Sequence, residues 1–190
     1  MYDLLFAASP VKLREFGGKM AYGREIAEFL QRRAPENRFL FPRISSPMLN
    51  GTVYFDTLKQ AAGVLNLSLS NHDYLYSSDR MAHAMGNGCL TYIDRHTGFG
   101  DLFGEDEAGF FSSAEELIEQ IERFRKFPAK RAKTAERGWR HYYALFNETA
   151  VAGYVAALLG GNFNAADYPF PTLLQAETGA AETGAAETGA

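Results

Sequence analysis

Several features that would assign the chain to a particular class of protein are scarce in it. One cysteine, Cys89, occurs among 190 residues, which excludes an internal disulfide and a metal cluster held by cysteines. Cys89 begins an apolar segment, and a free cysteine behaves as a small hydrophobe, so we expect it in the core. No apolar run approaches the roughly 18 residues that a membrane-spanning helix needs. The first residues hold no basic stretch of the kind that opens a secretory signal, so we expect the cytoplasm as the location.

Positive charge is scarce as well. Lys and Arg total 19 against 23 Asp and Glu, a formal net charge of -4, so the chain lacks the basic field that attracts nucleic acid. A basic run between residues 126 and 140 is of the kind that attracts anionic lipid headgroups. Glu122 and Glu136 dilute this run, which favours a solvated helix face. We therefore expect no nucleic-acid partner and at most a peripheral contact with a membrane.

A repeat is present at the end of the chain. The sequence AETGA occurs three times over residues 176–190, and such a run of small residues cannot bury a core. We therefore predict a disordered tail there. The predicted organisation is one domain over residues 1–161, a C-terminal extension over 162–175, and the tail.

Short apolar segments alternate with amphipathic segments before the tail. Strands are predicted over residues 2–8, 38–41, 63–69, 90–93 and 109–111. Helices are predicted over residues 19–33, 54–62 and 147–159. Three more are predicted between them: one after Ser77-Ser78 that stops at Gly86, one that opens at the Ser113 capping box, and one that starts at Pro128. Residues 12–19 are predicted to form a polar loop. This alternation predicts an α/β fold, in which a parallel sheet carries helices on both faces, followed by C-terminal helices.

The most informative segment is 65–104, because it predicts a helix start beside two loops at one edge of the sheet. In open α/β folds, ligands with phosphate groups bind at that edge. If Ser77 or Ser78 caps the helix, its free amides face the edge, and Arg80 adds a full positive charge. Arg80, His83 and Asn87 share one helix face, because they are spaced i, i+3 and i+7. This face is a candidate site for a diphosphate.

The glycine loop after residue 94 is a second candidate. Gly98 and Gly100 allow the backbone to approach a ligand, and Asp101 offers an acceptor for sugar hydroxyls. The same glycines would also serve a plain turn. Arg80 has a similar alternative, because its spacing also allows an ion pair with Asp79, Asp94 or Asp101. A packed, non-functional His83 is likewise consistent with the pattern, and these alternatives stay open.

Taken together, these residues resemble the donor-binding half of GT-B glycosyltransferases, and most of all a bacterial family 1 or CgeB-like group. The resemblance rests on YSSDRMAHAMGNGCLTYIDRHTGFGDLF, with YDLLFAAS and GREIAEFL upstream, and extends to about residue 161. It implies a Rossmann-like sheet that forms one half of a GT-B fold. It also implies an enzyme that transfers a sugar from a nucleotide-diphosphate sugar to a glycan, lipid or protein acceptor, as in cell-envelope polysaccharide synthesis. Neither a cofactor nor a metal bound by the protein is implied.

The resemblance also assigns roles to residues. It implies that the loop and helix start at Ser77, Ser78 and Arg80 face the donor phosphates and that His83 lies near the ribose. Asn87 is a further candidate for the phosphate site, because its spacing places it on the face of Arg80 and His83. Residues 98–101 would lie near the sugar and phosphates. Arg80 and His83 are the predicted catalytic residues. Related enzymes carry basic phosphate ligands after the first strand, where this chain offers Lys12, Arg14, Lys19 and Arg24.

Two departures from the family pattern limit the functional expectation. Leu75 and His83 stand where many retaining GT-B enzymes carry a pair of glutamates, so the resemblance does not extend to a retaining outcome or to ribose recognition by a carboxylate. A GT-B enzyme also needs a second, N-terminal domain to close over the donor, and this chain holds one domain. The alternatives are a non-catalytic module that binds nucleotide-sugars or supports assembly, and a nucleotide-sugar epimerase of the same architecture.

Overall fold

Alternating strands and helices build the part of the chain that the structure describes, residues 1–71 and 73–168 of a computed structural model. The strands are β1 (Leu4–Leu5), β2 (Leu13–Phe16), β3 (Lys19–Tyr22), β4 (Phe39–Leu40), β5 (Gly63–Asn66), β6 (Leu90–Asp94) and β7 (Gly109–Phe111). The helices are α1 (Gly23–Arg33), α2 (Gly51–Leu58), α3 (Asp79–Gly86), α4 (Ala114–Lys126), α5 (Pro128–Phe146) and α6 (Glu148–Gly160).

Five of the strands form one sheet in the order β4-β1-β5-β6-β7, and every pair in it is parallel. The chain moves outward from β1 to β4 on one side and from β5 to β7 on the other. The strand order therefore reverses between β1 and β5, and this switch point is where open α/β sheets bind ligands. The predicted Rossmann-like α/β fold is confirmed.

Side chains of the sheet alternate between two apolar cores, because successive residues of a strand point to opposite faces. Leu4, Leu65 and Tyr92 pack in the core beneath α1 and α4. Their neighbours Leu5 and Val64 pack with residues of α2 and α3 on the other face. Cys89 lies in this second core, as the sequence predicts. Burial on both faces explains why the strands read as nearly continuous apolar runs.

The Tyr92 side chain of β6, the strand between β5 and β7, occupies space that glycines on these two strands leave open. It is 1% exposed, and it pairs directly with Gly109 of β7. A Cβ atom on Gly109 would lie 2.5 Å from the Tyr92 ring, and one on Gly63 of β5 would lie 2.6 Å from it. The ring therefore fits only because both flanking strands carry glycine at these positions.

The main correction to the sequence prediction is at residues 12–19, which were expected to be a loop. They belong to an antiparallel hairpin of β2 and β3, in which Phe16 pairs with Lys19. Gly17 and Gly18 form its two-residue turn with φ of 57° and 76°. A type I′ turn needs positive φ at both central residues, which glycine supplies without strain. The predicted helix at 19–33 consequently begins later, at Gly23.

Other element boundaries shift by a few residues. The predicted strand 63–69 ends at Asn66, and the helix predicted over 54–62 runs from Gly51 to Leu58. The last helix, α6, buries none of its residues. The predicted tail at 176–190 lies outside the described residues, as does the second half of the extension, residues 169–175. The predicted domain boundary at 161 remains a prediction. Among the described residues, no helix is long and apolar enough to cross a membrane.

Candidate functional site

Two arginines meet at the switch point between β1 and β5. Arg14 Nη1 donates to the carbonyl oxygen of Leu67 at 2.9 Å, and Arg80 Nη1 donates to the same oxygen at 3.1 Å. Arg80 Nε also donates to the carbonyl of Ala7 at 3.1 Å. Ala7 follows β1 and Leu67 follows β5, so Arg80 bridges the carboxyl ends of the two strands at which the strand order reverses.

Each arginine reaches this point from a different element. Arg14 lies on the inner face of the hairpin, where alternation along β2 also turns Phe16 inward. Arg80 is the second residue of α3, the helix that follows the loop after β5. Of the residues predicted from sequence to bind phosphate, these two are brought together by the fold, although they lie far apart in the chain.

The two guanidinium groups lack an acidic partner within residues 1–71 and 73–168. Arg14 is 7% exposed, and its buried Nε has no hydrogen-bond partner there. Burial, together with the positive charge of Arg80, lowers the pKa of Arg14 to about 10. Burial also lowers the pKa of Arg80. Two neighbouring cations without a counter-charge are costly, and a bound anion would offset that cost.

The ion pairs that sequence spacing allowed for Arg80 are absent among the described side chains. Asp94 instead contacts His96, with its Oδ1 2.6 Å from the ring Nδ1. Asp101 accepts a hydrogen bond from the Tyr74 hydroxyl at 2.9 Å. The negative charge of Asp79 raises the pKa of Arg80, although the two side chains do not form an ion pair.

A cavity of about 420 Å³ opens beside the two arginines, and we call it the cationic cavity. Its lining includes four basic residues and, among the described residues, no acidic one. The basic residues are Lys12, Arg14, Arg43 and Arg80. Arg43 has a φ of 69°, an unfavourable left-handed conformation for a side chain of this size. Backbone strain of this kind is concentrated at functional sites.

A second cavity, of about 310 Å³, adjoins the cationic cavity through Arg80 and Tyr54, which line both. His83 lies in it, and its ring centroid is 5.5 Å from that of Tyr54 and 5.2 Å from that of Phe55. Burial is the main cause of a raised pKa for Tyr54, which the charge of Arg80 opposes. Asn87 does not reach this cavity; its amide donates to the His83 carbonyl at 2.8 Å near the helix end.

The two serines at the start of α3 face a different space. Ser77 and Ser78 line an apolar cavity of about 360 Å³, together with Leu75, Phe99 and Tyr142 among others. Ser78 is the N-cap residue, but its side chain does not bond to the helix, and its buried Oγ has no partner among the described residues. The two serines and Arg80 thus line different cavities, and the role of the serines at a phosphate remains a prediction.

The glycine loop is in contact with the neighbouring loop that carries Tyr74. Gly98 has a φ of 80°, and a Cβ atom there would lie 2.5 Å from the Tyr74 ring. The hydrogen bond of Tyr74 to Asp101 raises the pKa of the tyrosine. These contacts agree with the alternative that the loop is a structural turn. Gly98, Gly100 and Asp101 do not line the cationic cavity, and their contact with a sugar remains a prediction.

The other basic candidates lie away from the cationic cavity. Lys19 lines a separate groove between the hairpin, α1 and the start of α4, and Arg24 is exposed at the start of α1. Sequence reasoning missed Arg43 and Tyr54. Arg43 could have been found, because it follows a predicted strand and so belongs to the same carboxyl edge. No group of His, Cys, Asp and Glu in the described part of the chain could hold a metal ion.

The parallel sheet, with a cationic cavity at its switch point, defines an α/β domain suited to an anionic ligand. Residues 23–153 match the model of the family described as glycosyl transferase-like, and the chain belongs to that family. The fold is also that of the C-terminal domain of a glycosyl transferase group 1 family protein, LpcC, from Francisella tularensis. That solved structure superposes with a TM-score of 0.51 at 9% identity, over 74% of this chain and 84% of the other. No curated protein matches the chain in sequence.

The comparisons confirm the broader of the two family predictions and leave the narrower one untested. The resemblance to a GT-B C-terminal domain is confirmed by the family match and the shared fold. The narrower placement in a CgeB-like group remains a prediction. The family match begins at Gly23, so the hairpin that carries Arg14 lies outside the matched range.

Proposed function

We propose that this chain is the nucleotide-sugar-binding domain of a glycosyltransferase and that the cationic cavity holds the diphosphate of the donor. The observation that carries the proposal is the convergence of Arg14 and Arg80 on the Leu67 carbonyl without an acidic partner among the described residues. A diphosphate supplies several negative charges and many acceptor oxygens. It would therefore occupy the free donors of both guanidinium groups.

The size and position of the cavity fit the same ligand. The cationic cavity and the second cavity adjoin, because Ala7, Leu49, Tyr54 and Arg80 line both, and we propose that together they form the cleft for the donor. The diphosphate occupies the basic part, and the less charged part beside His83 accepts the nucleoside or the sugar. His83 then contacts the donor through a ring already held edge-on against Tyr54 and Phe55.

The chemical contribution of this domain is electrostatic. Transfer of the sugar leaves a nucleoside diphosphate, and negative charge accumulates on its leaving oxygen as the glycosidic bond breaks. Arg14 and Arg80 stabilise that charge from fixed positions, which is the most effective way for a protein to lower such a barrier. Arg80 is therefore the proposed catalytic residue. The acceptor, a glycan, lipid or protein, is supplied from the open side of the cleft, where a second domain closes over the donor.

Calorimetric titration with UDP, GDP and their sugars tests the proposal. We expect Arg14→Ala and Arg80→Ala each to weaken diphosphate binding about ten- to a hundredfold, because a hydrogen bond to a charged group contributes about 1.5–3 kcal/mol. Arg32→Ala is the matched control, because Arg32 is exposed on α1 and lies outside the cleft. Lys19→Ala and Arg24→Ala then decide whether these two predicted phosphate ligands contribute.

The proposal is wrong if no nucleotide binds below millimolar concentration, or if Arg80→Ala binds as tightly as the natural chain. A second candidate is a nucleotide-sugar-binding module without turnover. It is favoured by Leu75 and His83 at the positions where a glutamate pair was expected. Release of UDP or GDP from the donor, coupled to sugar transfer by the isolated chain, would exclude this second candidate.

A further inference from the structure

Asp94 holds a segment of chain that lies far from it in sequence. It ends β6 and is fully buried. Its Oδ2 accepts a hydrogen bond from the backbone amide of Gly17 at 3.0 Å, which joins it to the hairpin turn. Its Oδ1 accepts from the amide of His96 at 3.1 Å and lies 2.6 Å from the ring Nδ1 of that residue. Both carboxylate oxygens are thus occupied.

The hairpin turn is confined on its other side as well. A Cβ atom on Gly17 would lie 2.6 Å from the backbone nitrogen of Ala114, at the start of α4. Phe16, beside the turn, packs edge-on against Phe29 and Phe111, with ring centroids 5.9 Å and 6.1 Å away. Arg14 is two residues earlier on the same inner face. The position of the turn therefore sets the position of the Arg14 guanidinium.

Electrostatics makes this attachment necessary. Arg14 and Arg80 carry the same charge, and Arg14 has little solvent to screen the repulsion. Arg80 is built into α3, whereas Arg14 is carried on a two-stranded hairpin, and an isolated hairpin is only marginally stable. The repulsion thus pushes the hairpin away from the cleft when no anion is bound. A hydrogen bond accepted by a buried carboxylate is strong enough to oppose it.

We propose that Asp94 is a positioning residue for the anion site, because it holds the hairpin turn so that Arg14 stays in the cationic cavity. The inference rests on the proposed function, since it assigns Arg14 to the diphosphate. It adds a residue that sequence reasoning considered only as an ion-pair partner of Arg80. It also joins two parts of the chain, because Gly17 and Arg14 precede the range that the family model matches, whereas Asp94 lies within it.

The test measures anion affinity and hairpin protection on the same variants. Asp94→Ala removes both acceptors. Asp94→Asn keeps the side-chain shape and loses one acceptor, so it replaces the alanine variant in both measurements if that variant does not fold. We expect either variant to bind inorganic pyrophosphate and UDP about tenfold more weakly, because the binding-competent position of Arg14 is populated less. Hydrogen exchange in peptides covering residues 13–22 should become at least about tenfold faster.

A double-mutant cycle separates positioning from general loss of stability. In the Arg14→Ala background, Asp94→Asn should cost no further pyrophosphate affinity, because the residue on which Asp94 acts is gone. Asn37→Ala is the control for stability, since Asn37 is buried at the opposite edge of the sheet and bonds to Glu122. It should lower the melting temperature without changing affinity.

The outcomes distinguish this inference from the proposed function. Equal affinity in the natural chain and Asp94→Asn, or additive losses in the cycle, would overturn the positioning role and leave the proposed function intact. Unchanged hydrogen exchange in the hairpin would overturn it too. If the natural chain binds neither pyrophosphate nor UDP, the proposed function fails, and the role given to Asp94 fails with it.

Discussion

At the scale of single residues, two glycines of one loop differ in what surrounds them. Gly98 has a φ of 80° and lies under the Tyr74 ring, whereas Gly100 has open space where a Cβ atom would stand. We expect Gly98→Ala to destabilise the fold by about 1–3 kcal/mol, through strain and a clash with Tyr74. Gly100→Ala should change the free energy of unfolding by less than about 0.5 kcal/mol. Urea unfolding of the two variants gives the comparison, and equal stability would disprove the Tyr74 contact.

Cys89 gives a second prediction at this scale. Burial raises the pKa of its thiol to about 11, and the thiolate is the reactive form. At pH 8 a thiol reagent should therefore react about a hundredfold more slowly with the folded chain than with the chain in urea. The reaction rate is measured with a thiol reagent that releases a chromophore, by following its absorbance. Equal rates in the two states would show that the thiol is accessible.

The same shift links stability to pH. The unfolded thiol loses its proton above about pH 8.5, while the folded thiol keeps it until about pH 11. The unfolded state then binds fewer protons than the folded state, so this contribution to stability is present below about pH 8.5 and is lost as the pH rises toward 11. Cys89→Ala removes this pH dependence, and urea unfolding at pH 8 and pH 10 measures it.

At the scale of secondary-structure elements, α6 differs from the other helices because none of its residues is buried. Its exposed apolar residues include Val151, Val155 and Leu159. A chain that ends at Asn147 should therefore keep a cooperative unfolding transition, with a melting temperature within about 4 °C of the full chain. Diphosphate affinity should be unchanged, because α6 does not line the cationic cavity. Loss of cooperative unfolding would show that α6 stabilises the domain.

The elements that sequence could predict are those with local signals. Ser113 predicts the start of α4, and its hydroxyl does accept the amide of Glu116 at 3.1 Å. Gly17 and Gly18 carry a local turn signal, but the segments beside them, LREF and KMAY, do not alternate strictly between apolar and polar residues, so the sequence does not predict the hairpin. The meeting of Arg14 and Arg80 could not be predicted, since it depends on how the hairpin folds back over the sheet. The sequence therefore predicts both arginines as phosphate ligands, whereas their contact with one carbonyl oxygen is known only from the fold.

At the scale of the whole molecule, the net charge and the cavity have opposite signs. The chain carries -4 overall, yet four basic side chains line one cavity. We expect pyrophosphate affinity to fall several-fold when NaCl rises from about 0.05 M to about 0.5 M, because salt screens the cavity charges. Duplex DNA should not bind at either concentration, since the cations line a concave site rather than an exposed stripe. Calorimetry and gel-shift measurements give the two results, and a salt-independent affinity would contradict the role of charge.

The glycines around Tyr92 restrict which substitutions the sequence can accept during evolution. Alanine at Gly63 or Gly109 would place a carbon within 2.6 Å of the ring, so neither position can drift alone. A lineage that lost either glycine would first have to exchange Tyr92 for a smaller side chain. We therefore expect related sequences to keep Gly63, Tyr92 and Gly109 together or to replace them together.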